Sequence, residues 1–247
     1  MTRVLITGAA DGIGRALAEH MQADGATVVG LDVDAERAAA CPFEVRVCDL
    51  ADPQAIAATL DALEEEPAFD VVIHNAGISC TGPFETSDLD QQRRVIDVNL
   101  RAPMLLTAGL LARERIADGG SVVFLSSLSH QVGYPSAAVY AATKDGLTSY
   151  ARSLYVALGP RKVNVLTVFP GPVRTAHARR YAPPGSKESG RMPPETLARH
   201  VARAIRRRKR ILLPGAGAKV FAWAGRLLPG VTERAMKKAL YDPLAKR

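Results

Sequence analysis

Cysteine is scarce in this chain. The three that occur in 247 residues, Cys41, Cys48 and Cys80, have neither metal-ligand nor redox spacing. Their odd number suits a reducing compartment rather than a disulfide framework. Uninterrupted apolar runs are short, and none approaches the roughly 18 residues of a membrane span. The N-terminus enters a strand directly, without a charged leader and apolar h-region. The expected location is therefore the cytoplasm. No internal repeat, low-complexity tract or domain linker divides the chain, so one large α/β domain is expected.

What is abundant is apolar residues, at 47%, and basic charge, at a net of +7. The charge is regional: Arg174 to Arg210 holds twelve Lys/Arg against two acids. Its run Arg206-Arg-Arg-Lys-Arg210 lacks interleaved aromatics or a nucleic-acid motif, so no nucleic-acid partner is expected. Cations ending a helix over Glu195 to Arg207 suit its C-terminal dipole instead.

Along the chain, short apolar strands alternate with amphipathic helices. Val4-Leu-Ile6 runs into Thr7-Gly-Ala-Ala-Asp-Gly-Ile-Gly14, and a helix follows to Ala23. Strand, glycine loop and helix form the setting in which backbone amides approach a pyrophosphate. The spacing of Gly8, Gly12 and Gly14 is a variant of the commoner G-x-G-x-x-G, and Asp11 within it is expected to point outward. A second strand, Val28 to Leu31, ends at Asp32, an acid placed to accept ribose hydroxyls and to repel the extra phosphate of NADP. NAD is the expected cofactor.

Further strands end at Asp49-Leu50 and at Asn75-Ala76-Gly77. A helical pattern from Leu89 to Ile116 is interrupted by Pro103, which has no amide to offer the Asn99 carbonyl. Asn99 is thus either free to hold water or simply beside a kink. The strand Ser121 to Leu125 leads to Ser126 and Ser127, and Ala137 to Leu158 reads as a long helix. On that helix Tyr140 and Lys144 are one turn apart on one face. A nearby ammonium favours the phenolate and moves the phenol from pH 10 toward neutrality. A strand from Val163 to Phe169 ends in Pro170-Gly-Pro-Val-Arg-Thr175. Every motif lies at the C-terminal end of a strand, where parallel α/β sheets collect ligands.

As an ordered set, Thr7-Gly8…Gly12-Ile13-Gly14, Asp49-Leu50, Asn75-Ala76-Gly77, Asn99, Ser127, Tyr140-x-x-x-Lys144 and Pro170-Gly171 resembles the short-chain dehydrogenase/reductase family. The resemblance covers Val4 to Thr175. It implies a doubly wound, Rossmann-type parallel sheet of seven strands in the order 3-2-1-4-5-6-7. It implies a secondary alcohol or ketone substrate, with Tyr140 as acid/base, Ser127 on the same substrate oxygen, Lys144 on Tyr140 and the nicotinamide ribose, and Asn99 holding a relay water. It also implies contacts from Asp49 and Leu50 to adenine, from Asn75, Ala76 and Gly77 to the adenine-side ribose, and from Val173 and Thr175 to the carboxamide. A homodimer or homotetramer follows by the same resemblance. Ser127 fits the family's gap to Tyr140 better than Ser126.

Beyond Thr175 the resemblance thins. Residues 176–196 occupy the position of a substrate lid, where His177, Arg179, Arg180 and Tyr181 can reach an anion. The Val-Asp-Gly-Gly ending of reductases acting on acyl-carrier substrates is absent. In the tail, 215–247, Val220, Trp223, Ala224, Leu227 and Leu228 form an apolar stripe at helical spacing. It is expected to cover a pocket or subunit interface, with a membrane surface as the less favoured use. A cofactor-binding scaffold without turnover is the remaining alternative.

Overall fold

Strands whose residues are apolar on both sides require cover on both faces, and the fold supplies it. The structure is a computed structural model that describes residues 1–82, 84–181 and 188–242. Residues 182–187 of the expected lid and 243–247 of the tail lie outside the described residues.

In chain order the elements are β1 (Arg3–Thr7), α1 (Gly12–Ala23), β2 (Thr27–Asp32), α2 (Ala35–Ala39), β3 (Glu44–Val47), α3 (Pro53–Ala62) and β4 (Phe69–His74). Then come α4 (Leu89–Ile96), a π-helical turn at Asp97–Arg101, α5 (Ala102–Ala112), β5 (Ile116–Leu125) and α6 (Ala138–Ala157). The chain continues through β6 (Asn164–Val168), α7 (Ala176–Arg180), α8 (Pro194–Arg206), β7 (Ile211–Leu212), α9 (Ala216–Leu227) and α10 (Pro229–Met236). The seven strands form one parallel sheet in the order β3-β2-β1-β4-β5-β6-β7, as the sequence led us to expect.

Alternation along β1 shows how the two layers are filled. Val4 and Ile6 pack with Leu17 and Met21 of α1 and with Leu197 and Val201 of α8. Leu5 faces the other way, into Ile56 and Leu60 of α3, Leu106 and Leu110 of α5, and Leu147 of α6. Leu89–Ala112 is the one helical stretch among the described residues long and apolar enough to cross a membrane by length and composition. Here it is a core helix, with Ala102, Leu106 and Leu110 fully buried against the sheet.

Caps fix where the site-bearing helices start. Asp11 caps α1 by accepting from the Gly12 amide, and Asp52 and Asp88 cap α3 and α4 in the same manner. The glycine loop is folded back on the end of β2: Gly8 N and Ala9 N donate to the Leu31 carbonyl, and Ala10 N to the Asp32 carboxylate at 2.9 Å. Gly8 and Gly12 adopt φ of 65° and 55°, left-handed values that favour glycine. Gly14 is constrained by space instead, since a Cβ there would lie 1.8 Å from the Gly8 carbonyl oxygen.

Gly14→Ala is accordingly expected to open the loop, lower the melting temperature and remove any shift produced by NAD, the cofactor expected from the sequence. Gly217→Ala, in the first turn of α9 with nothing within 4 Å, is expected to leave both unchanged or slightly raised. Thermal melts with and without NAD compare the two.

Candidate active site

The ends of β1 to β6, the π-helical turn and the start of α6 build the site. At the tip of β1, the Thr7 hydroxyl accepts from the backbone amides of Asn75 and Ala76, each at 3.0 Å. The Asn75 amide group returns the tie, donating to the carbonyls of Thr7 at 2.9 Å and Gly8 at 3.1 Å. Asn75 thus serves as a staple between β1 and β4, and the glycine turn is held open by that staple. Thr7 is a structural member of the site, and its sequence signal is its position directly between an apolar strand and the first loop glycine.

Asn99 sits in the π-helical turn, four residues upstream of Pro103. A π-turn is what results when the ladder is interrupted, and such turns recur at functional sites. The Asn99 side chain is fully engaged: it accepts from Ile78 N at 2.8 Å and donates to Ile78 O at 2.9 Å and to Thr143 Oγ1 at 3.2 Å. Thr143 in turn donates to the Tyr140 carbonyl at 2.7 Å. In an α-helical pattern the Asn99 carbonyl would look to Pro103, which has no amide to give.

The two serines after β5 take different directions. Ser126 is buried, with Oγ 3.1 Å from the Lys144 carbonyl and 3.0 Å from Thr148 Oγ1, and so fastens α6 to the sheet. Ser127 turns the other way, against the Tyr140 phenol. Its Oγ accepts from Ser129 N at 3.1 Å, which leaves its own proton for the phenol oxygen. The structure therefore brings Ser127 and Tyr140 together and sends Ser126 elsewhere.

Lys144 is buried, and its Nζ donates to the Leu125 carbonyl at 2.8 Å and lies 5.6 Å from the Tyr140 ring centroid. Gly77 leaves room for it, since a Cβ at Gly77 would be 3.2 Å from Nζ. Burial pushes Lys144 down to about 8. The phenol differs from the sequence expectation. Burial pushes Tyr140 up to about 12, with the Ser127 hydrogen bond pulling it back and Tyr134, whose ring centroid is 6.5 Å away, adding to the rise. The reason is that the cost of desolvating an anion exceeds the help of a neighbouring donor, and the ammonium is turned toward Leu125. Tyr134 was not among the residues singled out from sequence.

At the nucleotide end, Asp32 accepts from Ala10 N and from Asp34 N at 3.1 Å, so its carboxylate is fixed with lone pairs to spare. Asp11 points outward as expected, pairing with Arg37 at 2.8 Å. Asp49 is held by Arg94 of α4 at 3.0 and 3.2 Å, with Leu50 buried beside it. The Arg94 partnership had no signal in the local sequence. Across the loop, Thr175 rests against Gly12, 3.2 Å from where its Cβ would be. Thr175 also caps α7 by accepting from Ala178 N. Pro170 accepts from Leu128 N at 3.2 Å, Gly171 lies against Leu128, and Val173 bridges to Met192. His177 of α7 is close enough to Lys144 and Asp11 to feel both charges. A cavity of about 310 Å³ adjoins the loop, walled by Asp11, Gly12, Arg15, Arg174, Thr175 and Arg179 among others.

Gly8, Asp11, Gly12, Ile13, Gly14, Asp32, Asp49, Leu50, Asn75, Ala76, Gly77, Ser127, Pro170, Gly171, Val173 and Thr175 thus stand at or beyond the C-terminal ends of strands, with Asn99 in the π-turn and Tyr140 and Lys144 on α6. A model of the short chain dehydrogenase family matches residues 2–184. The chain belongs to that family. Among its relatives, the D-erythrulose reductase of Gallus gallus is 36% identical over 184 residues, covering 72% of this chain and 73% of its own. The trans-4-hydroxycyclohexanecarboxylate dehydrogenase of Sinomonas cyclohexanicum is 34% identical over 188 residues, 69% of this chain and 72% of its own. Among solved structures, a short-chain dehydrogenase from Sphingobium yanoikuyae in complex with NADPH superposes with a TM-score of 0.79 at 26% identity, covering 91% of this chain and 93% of that one. As a short-chain dehydrogenase this chain is an oxidoreductase with a nicotinamide dinucleotide as its cofactor.

Proposed function

We propose that this short-chain dehydrogenase transfers hydride between NAD(H) and a secondary alcohol or ketone, with Tyr140 as the acid/base. The observation carrying the reading is the convergence of the Ser127 hydroxyl, the Tyr140 phenol and the buried Lys144 at one strand-end edge that also carries the glycine turn. The residues present fit a dinucleotide. The turn is a cradle that a single Cβ at Gly14 would fill, and the first turn of α1 offers N–H groups and a positive dipole end to phosphate. When bound, the nicotinamide supplies or accepts the hydride.

The protein's residues then do the remaining work. Asp32 accepts from the adenosine ribose hydroxyls, and Leu50 and Asp49 border the adenine. Ser127 donates to the substrate oxygen and stabilises charge developing there. Tyr140 exchanges a proton with the same oxygen. Lys144 turns from the Leu125 carbonyl toward the nicotinamide ribose and the phenol, and its positive charge favours the phenolate during transfer. The Asn99 carbonyl holds a water behind Lys144. His177 and Arg179 of α7 border the substrate side of the site. The names of the two relatives, a ketose reductase and a hydroxycyclohexane dehydrogenase, support a secondary carbinol as the reacting group.

Preference for NAD rests on charge. Asp11, Asp32 and Asp34 stand near the ribose end with Arg37 as their cation, and Arg37 already pairs with Asp11 and Asp34. An extra phosphate would meet an excess of negative charge. We expect kcat/KM for NAD to exceed that for NADP by about tenfold or more, and Asp32→Ser to narrow the ratio to within about threefold. Initial rates at 340 nm across a panel of secondary alcohols, with both cofactors, measure this. Hydride transfer absent from the whole panel would contradict the function, and an NADP preference in the wild type would contradict the cofactor. The free cysteines support the cytoplasm as its location, and the two long helices α4–α5 and α6 are the faces we assign to a homo-oligomer.

A further inference from the structure

A second concavity lies away from Tyr140, between the later turns of α6, the edge formed by β6 and β7, and α9. Its volume is about 460 Å³, the size of a small-molecule site. Four cations line it: Arg152 of α6, Arg210 beside β7, and Lys219 and Arg226 of α9. None of the four forms an ion pair with a described residue, although most exposed arginines of α1 to α5 do. Among the described residues no carboxylate lines the cavity. Asp145 pairs with the lining residue His130 at 2.6 Å. Arg210 is held in place by stacking over the Tyr155 ring at 3.8 Å, so its charge is presented rather than loose.

Between the cations the wall is apolar, made by Ala151, Val165, Phe169, Leu213 and the indole of Trp223. A small hydrated anion would leave that wall wetted, and a plain hydrocarbon would leave the cations unused. An anion with an apolar body meets both demands. We propose that this cavity is a binding site for an amphipathic carboxylate, with the chain against Phe169 and Trp223 and the head group among Arg152, Arg210, Lys219 and Arg226. The site shares His130 and Gln131 with the loop that follows Ser127, and α9 packs on that loop so closely that a Cβ at Gly225 would lie 2.3 Å from the Gln131 carbonyl oxygen. The inference does not depend on the assigned acid/base chemistry.

Trp223 is the only tryptophan in the chain, so its fluorescence reports the site directly. The full-length protein is titrated with sodium dodecanoate below its micelle concentration, with dodecanol and dodecyltrimethylammonium as neutral and cationic controls, and isothermal calorimetry gives the stoichiometry independently. The expected result is saturable binding of one dodecanoate per chain, weakened about tenfold or more by Arg152→Gln with Arg210→Gln. Both replaced residues are exposed, so loss of the Arg210–Tyr155 stacking should lower the melting temperature only slightly. Absence of saturable binding in both measurements, equal binding of dodecanol, or indifference to the double variant would each overturn the proposal. So would sedimentation with anionic phospholipid vesicles without binding of free dodecanoate, which would make this face a membrane surface. Concentration-dependent dimerisation that closes the cavity against dodecanoate would overturn it as well.

Discussion

Tyr140→Phe is expected to reduce kcat about 10²- to 10⁴-fold, the usual worth of a positioned proton carrier, while nucleotide affinity changes by less than about threefold. The substitution removes one oxygen and keeps the ring, so packing against Tyr134 and the start of α6 is preserved. The phenol is pushed up to about 12, so the deprotonated form is costly unless something offsets it. Loss of the hydroxyl therefore removes both the proton acceptor and the partner of Ser127. Stopped-flow hydride transfer at saturating cofactor separates the chemical step from binding. Fluorescence titration with NADH supplies the affinity. Equal single-turnover rates in variant and wild type would leave a cofactor-binding scaffold as the better account.

Lys144→Met is the second large effect, and it moves activity and stability in opposite directions. A lysine displaced from 10.5 to about 8 by burial carries about 3 kcal/mol of unfavourable energy when charged. The sign follows from proton uptake. Between pH 8 and 10.5 the unfolded chain binds the proton that the folded chain has lost, so raising pH through that window stabilises the wild type. Below pH 8 the full cost is present. Methionine removes it but orphans the Leu125 carbonyl, which costs about 1–2 kcal/mol. A net gain of about 1–2 kcal/mol at pH 7 corresponds to a rise of about 2–6 °C in Tm. The gain should shrink as pH rises from 8 to 10.5, and turnover should be lost throughout. A variant that melts lower than wild type at pH 7 would show that the ammonium is stabilised by contacts beyond Leu125.

The strand order and the position of the site were legible because the residues at strand ends are chemically distinctive. Glycines at 8, 12 and 14, Asn75 and the serines after Leu125 each follow an apolar run, and a parallel sheet gathers those ends on one edge. Asn99 was readable through Pro103, since a missing amide four residues on disturbs the ladder whatever the tertiary context, and the π-turn is the outcome. Titration was not legible. Helical spacing places Lys144 near Tyr140 but says nothing about desolvation, and burial outweighed the cation. Nor did spacing settle which face of α9 packs inward. Val220, Trp223 and Leu227 remain 65%, 66% and 53% exposed. The buried face is Ala218, Ala222 and Gly225, because small residues let the helix backbone approach Gln131 and Val132. Apolar periodicity finds a stripe, while close backbone approach selects the small-residue side. The stripe therefore faces outward, with Trp223 in the wall of an outer cavity rather than in the core.

The most direct test follows the Tyr140 phenol itself, by ultraviolet difference absorbance at 295 nm against pH, with Tyr140→Phe subtracted. The protein alone should keep this phenol protonated beyond pH 11, in line with its rise to about 12. Saturating NAD, whose oxidised nicotinamide adds a positive charge as Lys144 turns inward, should bring the titration below about pH 9. A Tyr140 signal that stays above pH 11 with NAD bound would contradict its assignment as the proton carrier.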